Sequence, residues 1–174
     1  MKKLFALLLA LCLLVPMAMA EETTLQVNWA DLESVVTDAG LEGSFVTFDE
    51  IAVTMWLPAQ LQPLELTDEY RESGYIGYFI DEEQTAAVAV VYVDVSGMTL
   101  EEYAEMLPDL GASEIAHLMI NDIPALRYQL PENDTLNITF ATDAGCFLEF
   151  TFYPLSTEGA AEVWTVVIAS IQPE

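Results

Sequence analysis

The sequence predicts an α+β fold, an antiparallel β-sheet of about seven to eight strands accompanied by helices. Three observations carry that prediction. Residues 114–153 alternate apolar and polar side chains with period two between three turn signals, the pattern of a four-strand meander. Two earlier pairs of strand-like runs, Ser44–Phe48 with Ile51–Trp56 and Tyr75–Ile80 with Thr85–Asp94, are each joined by a short acidic turn. Around these runs, apolar residues recur at the three- and four-residue spacing of core-facing helices.

Within the meander, the turn signals are Asn121-Asp122, Pro131-Glu132-Asn133-Asp134 and Asp143-Ala144-Gly145. The last suits a three-residue hairpin loop with glycine in the left-handed position. Leu126, Tyr128 and Leu130 oppose Arg127 and Gln129; Leu136, Ile138 and Phe140 oppose Asn137 and Thr139; Leu148, Phe150 and Phe152 oppose Glu149 and Thr151. A slip of one residue moves a whole apolar set to the wrong face, so matching apolar to apolar sets the register. It pairs Phe140 with Leu148 and Ile138 with Phe150 around Asp143–Gly145. Across the second turn it asks for an odd loop, Pro131–Thr135, with Tyr128 opposite Ile138 and Arg127 opposite Thr139. The polar face then carries two rows, Arg127–Thr139–Glu149 and Gln129–Asn137–Thr151, each cross-strand pair contributing roughly 0.2–1 kcal/mol. Arg127 is expected to reach over Thr139 to Glu149. These five residues, Arg127, Glu149, Thr139, Gln129 and Asn137, are the candidate ligand-binding set.

Residues 1–20 read as a secretory signal peptide: Lys2 and Lys3, an apolar run from Leu4 to Val15, and an Ala18-Met19-Ala20 cleavage signal. The apolar run falls short of the roughly 20 residues of a membrane span. Cys12 lies inside it after Leu11, where lipidation needs a small residue. Cleavage after Ala20 takes 174 residues to 154, a single domain over 21–174 released without membrane insertion. Only Arg71 and Arg127 are basic beyond residue 20, against 29 acids, a formal charge of −27. Such a surface repels nucleic acid and anionic lipid, keeps an exported protein soluble, and attracts basic partners or divalent cations. Cys146 alone permits no internal disulfide.

Asn28 precedes a helix with Trp29, Leu32, Val36 and Ala39 inward and Gly40 as its stop. Leu57–Leu66, with Pro58 and Pro63, reads as a loop, and Thr67–Glu72 as one helical turn. Thr85–Asp94 is apolar on both faces, as for a central strand covered on both sides. Thr99 and Glu102 form a capping box for a helix carrying Leu100, Tyr103 and Leu107, ended by Pro108 and Gly111. Ser156 stands where it can cap a last helix whose stripe is Ala160, Val163, Trp164, Val167, Ile168 and Ile171. This helix is expected on the apolar face of the meander.

In this order, with FVTFDEIAVTMWLP (Phe45–Pro58), YIGYFID (Tyr75–Asp81), GMTLEEY (Gly97–Tyr103), MINDIPALRY (Met119–Tyr128), FLEFTFYP (Phe147–Pro154) and IASIQ (Ile168–Gln172), the chain resembles the PsbP-like fold and the secreted bacterial proteins built on it. The resemblance covers nearly all of residues 21–174. Its motifs are turns, caps and core positions; none is catalytic. It implies an antiparallel sheet with helices on both faces, and members that serve as assembly or binding factors, including a photosystem subunit and a Ran-binding import factor. Fold likeness alone does not assign function.

Chemically distinctive residues are few. His117 and Cys146 are unique beyond residue 20. A thiol nucleophile needs a base within about 2.6–3.2 Å. These two lie on strands three spacings, ~14 Å, apart. One histidine and one cysteine make no structural zinc site. Asp81, Glu82 and Glu83 are the candidate ligands for calcium, as is Glu132-Asn133-Asp134, although neither matches a calcium-loop signature. The sequence has no nucleophile elbow, P-loop or dinucleotide-binding glycine pattern. The reading is therefore a noncatalytic extracytoplasmic binding or accessory domain without cofactor, whose partner is a protein or small ligand in the cell envelope or medium. The alternatives are a carboxylate-dependent envelope hydrolase and a weak divalent-cation binder.

Overall fold

The computed structural model describes residues 24–48 and 51–173. The expected signal peptide, with Cys12, and the turn expected at Asp49-Glu50 lie outside the described residues. The strands and helices follow in chain order as β1 (Leu25–Val27), α1 (Trp29–Ala39), β2 (Gly43–Phe48), β3 (Val53–Pro58), β4 (Gln62–Pro63), α2 (Asp68–Glu72), β5 (Tyr75–Ile80) and β6 (Ala87–Asp94). Then come α3 (Leu100–Met106), β7 (Ser113–Ile120), β8 (Ile123–Leu130), β9 (Thr135–Ala141), β10 (Cys146–Tyr153), α4 (Ala160–Ala169) and β11 (Gln172–Pro173).

The meander is present as the alternation predicts. It sits in an eight-stranded sheet of order β1-β7-β8-β9-β10-β6-β5-β4. Asn121 and Asp122, at φ 46° and 66°, close the two-residue turn between Ile120 and Ile123. Gly145, at φ 75°, closes the three-residue turn, and Leu148 and Phe150 pair with Phe140 and Ile138 as expected. β6 lies between β5 and β10, the central place that its two apolar faces predict.

The inner face of this sheet is covered by α1, α4 and a second, three-stranded sheet of order β11-β3-β2. The expected first hairpin thus forms a layer of its own. Phe48 of β2 stands edge-on to Phe79 and Phe150 of the large sheet. Gly77 leaves room for it: a Cβ there would come 2.7 Å from the Phe48 ring. Trp164 of α4 packs on Phe152, and its indole N–H donates to the Pro154 carbonyl at 2.7 Å. Phe150, Phe152, Ile138, Met55 and Val167 are sealed from solvent, each stabilising the fold by roughly 1.5–3 kcal/mol through removal of apolar surface from water. α3 lies on the outer face, over β8 and β9; its Leu100, and Leu107 just beyond its end, cluster with Leu126, Tyr128 and Phe147. Helices therefore flank both faces. The predicted Thr99–Glu102 capping box holds the N-terminus of α3, at 2.9 and 3.2 Å.

Four expectations need correction. The sheet is not wholly antiparallel, because β1 runs parallel to β7. Within the expected Leu57–Leu66 loop, β3 extends to Pro58 and Gln62-Pro63 pairs with β5 as β4. Ser156 does not cap α4; Gly159 does, and Ser156 is bound by Asp134. The fourth correction is the register of β8. Arg127 pairs with Ile138, Tyr128 with Asn137 and Leu126 with Thr139, around the four-residue loop Pro131–Asp134. Apolar matching fails here because Thr135–Phe140 is buried on both faces, one under the inner core and the other partly under α3. Neither phase of β8 is then excluded by hydrophobicity. The loop decides it. Asp134 takes the left-handed conformation, φ 57°, and its carboxylate accepts from the Ser156 N–H and hydroxyl, both at 2.8 Å.

Candidate functional site

The one-residue shift of β8 divides the expected site between two faces. Glu149, Thr139 and Asn137 share the outer face, while Arg127 and Gln129 point inward, so Arg127 and Glu149 are no pair. The half-buried Arg127 donates from Nη1 to the Glu114 carbonyl at 3.1 Å. Burial lowers its pKa, and the nearby Glu114 charge opposes that shift.

Tyr128, opposite Asn137, meets Glu149 in place of Arg127. Its hydroxyl donates to Glu149 Oε2 at 2.5 Å. Thr139 Oγ1 donates to the same oxygen at 3.0 Å, and the Tyr103 hydroxyl of α3 lies 3.5 Å from it and 3.2 Å from that of Tyr128. Tyr103 also packs edge-on to Tyr128 and tilted on Phe147, at 5.1 Å. A carboxylate placed between two strands and a helix is thus met by hydroxyl donors, which removes the need for a cation. Burial, with the Glu149 charge and hydrogen bond, raises the Tyr128 pKa far above that of a free phenol. Burial and the Glu149 charge raise that of Tyr103. Glu149 Oε1 has no hydrogen-bond partner among the described side chains and is not sealed from solvent.

The next row continues the polar strip. Thr151 Oγ1 donates to Asn137 Oδ1 at 2.9 Å, and Asn137 Nδ2 donates to Thr135 Oγ1 at 3.2 Å. Asn137 and Thr139 are buried, so they support this face without reaching solvent. Beyond α3 the outer face stays partly open. Tyr78 pairs with Ala89 and Ala89 with Thr151, while Tyr75 pairs with Val91 and Val91 with Glu149. These side chains are half-buried, and Tyr153 on the same face is exposed. Burial raises the pKa of Tyr78, assisted by Tyr70 and Tyr75 close by.

The other sequence candidates lie apart. His117 is on β7, on the outer face, with Leu126 and Thr139 between it and Glu149. Cys146 starts β10 in the phase of Leu148 and Phe150, so it faces the other way. The Asp81 carboxylate closes its own turn, accepting from Thr85 N at 2.6 Å, Thr85 Oγ1 at 2.7 Å and Ala86 N at 2.9 Å, and these bonds, the Thr85 hydroxyl foremost, lower its pKa. Among the described residues no group of three or more acids, histidines or cysteines is placed to hold a metal ion. An open cleft of about 700 Å³ beside α3 is bordered by Glu102, Glu105 and Asp109; Glu102 is engaged in the helix cap.

Sequence reasoning missed Asn121 as more than a turn. Its Oδ1 accepts from Trp29 N at 2.9 Å, and its Nδ2 donates to the carbonyls of Ala169 and Ile171 at 2.8 and 2.7 Å. One turn side chain thus ties the start of α1 and the end of α4 to the sheet. An asparagine in an Asn-Asp turn was a local signal; its partners, 48 to 92 residues away, left none.

No protein-family model and no curated protein matches the sequence. Solved structures match its fold. The solution structure of cyanobacterial PsbP (CyanoP) from Synechocystis sp. PCC 6803 is 10% identical, covers 91% of this chain and 99% of its own, and superposes with a TM-score of 0.53. The crystal structure of the Ran-binding protein Mog1p from Saccharomyces cerevisiae is 11% identical, covers 76% of this chain and 96% of its own, and has a TM-score of 0.44. The eight-stranded sheet, the second three-stranded sheet and the helices on both faces make this a PsbP-like fold.

Proposed function

We propose that the protein is a noncatalytic binding or accessory domain that works outside the cytoplasm, after loss of residues 1–20. The observation that carries this reading is the half-covered outer face. α3 shields β8 and β9, and leaves Tyr75, Tyr78, Val91, Thr151 and Tyr153 beside Glu149 outside its cluster. Tyrosines on a rigid sheet offer large amphipathic contact area at low entropic cost, as binding surfaces do. Glu149 Oε1 and Thr151 supply polar contacts, with Thr139 and Asn137 holding them from beneath. Three carboxylates singled out in the sequence are engaged: Glu149 Oε2 with hydroxyls, Asp81 with its own turn and Asp134 with Ser156. No described helix is long and apolar enough to cross a membrane.

The test is affinity capture from bacterial envelope fractions on the immobilised exported protein, in parallel with a Tyr78→Ala/Tyr153→Ala variant. A saturable partner is expected on the parent and lost from the variant, with near-UV circular dichroism unchanged. Equal capture by both removes this face from the proposal.

A further inference from the structure

Among the described residues β2 is an unguarded sheet edge. It pairs with β3 alone and ends the three-stranded sheet among the described residues. Folded proteins protect such edges with charges, proline, bulges or a covering segment, because free N–H and C=O groups template another strand. The β2 sequence GSFVTF has no charge and no proline, its ladder has no register shift, and Gly43, Ser44, Phe45 and Thr47 are exposed.

The bonds around β2 fix which main-chain groups are free. The Glu42 carbonyl accepts from Ala59 N at 2.9 Å, and that of Phe48 accepts from Ile51 N at 3.1 Å. Residues 42 and 48 therefore turn toward β3, and antiparallel alternation adds Ser44 and Val46. On β3, Trp56 N donates to Ser170 Oγ at 2.8 Å, away from β2, and the residue paired with Trp56 is Phe45. Bonds on both strands agree that Gly43, Phe45 and Thr47 direct N–H and C=O outward. They recur every two residues, about 6.7 Å, the repeat of an incoming strand. Phe45, 43% exposed, rests edge-on against Trp29 at 5.4 Å and gives that strand a fixed apolar contact.

Charge selects the occupant. Neither arginine of the described chain lies on β2 or β3, and Glu42 precedes the edge. A chain of formal charge −25, more negative once Lys2 and Lys3 are removed, disfavours a second copy of itself. We infer that β2 docks an extended cationic segment of another protein as a fourth strand of the β11-β3-β2 sheet. Main-chain bonds form to Gly43, Phe45 and Thr47, and lysine or arginine side chains answer the acidic surface.

The test is amide hydrogen exchange by NMR on the exported protein with the peptide Lys-Val-Lys-Val-Lys-Val-Lys as probe. Two controls are its Glu-for-Lys counterpart and a form of equal charge with proline at the central valine. The Gly43, Phe45 and Thr47 amides are expected to slow about tenfold at a peptide concentration about ten times its Kd, less at high salt, and not with either control. Thr47→Pro removes an outward donor without touching the β3 ladder, and Thr47→Lys adds like charge; both are expected to weaken docking. Equal protection by the proline peptide, protection confined to other residues, or none at millimolar peptide overturns the inference. A concentration-dependent dimer abolished by Thr47→Pro assigns the edge to a second copy and also overturns it.

Discussion

Tyr128 and Glu149 meet because Asp134 sets a four-residue loop, and that contact has measurable consequences. Tyr128→Phe withdraws one donor from a carboxylate under a helix and is expected to cost about 1–3 kcal/mol in urea unfolding. In double-mutant cycles, Tyr128→Phe and Glu149→Gln should couple, whereas Arg127→Gln and Glu149→Gln should add to within about 0.5 kcal/mol. Coupling of Arg127 with Glu149 instead would restore the register that apolar matching favours. The pH dependence has a definite sign. Tyr128 keeps its proton in the folded state above the unfolded value of 10.0, so its stabilisation is full below pH 10 and declines as the pH rises further. Unfolding free energy should fall above pH 10, less steeply in Tyr128→Phe. Glu149 was legible as unusual because a carboxylate interrupts the apolar run FLEF. Its partner was not, because a tyrosine in an alternating strand reads as core until the opposing layer is known.

α3 is the element on which the outer face depends. It has seven residues, too few to be stable alone, so its capping box and its contacts with Leu126, Tyr128 and Phe147 hold it in place. Thr99→Ala is expected to cost about 0.5–2 kcal/mol and to speed amide exchange in α3 while leaving the β9–β10 ladder protected. Equal acceleration in both would mean that α3 does not open separately. The Thr99–Glu102 cap, the Asn121-Asp122 and Asp143–Gly145 turns and the meander strands were legible because each is written within a few residues. The second sheet was not: β11 reaches β3 through Gln172 opposite Thr54, and β1 reaches β7 across 93 residues. Short strands such as Leu25–Val27 carry too little alternation to announce such pairings.

At the scale of the whole molecule, charge and fold give separate predictions. Twenty-nine acids against few bases repel one another in the compact state. Raising sodium chloride from 10 to 200 mM shortens the screening length from about 30 Å to below 10 Å and is expected to raise the melting temperature. A melting temperature independent of salt would show that the acids are spaced widely enough not to interact. The PsbP-like fold was visible in the order of elements although the cyanobacterial PsbP structure is only 10% identical, because the order depends on apolar pattern and turns, not on residue identity. We propose that this scaffold binds without performing chemistry. Hydrolysis of ester, peptide, phosphate and glycoside substrates by residues 21–174, beside their Glu149→Gln and His117→Ala variants, tests it most directly. A binding domain gives the same background rate in all three. Turnover by the parent that is lost in either variant, with near-UV circular dichroism preserved, would contradict it.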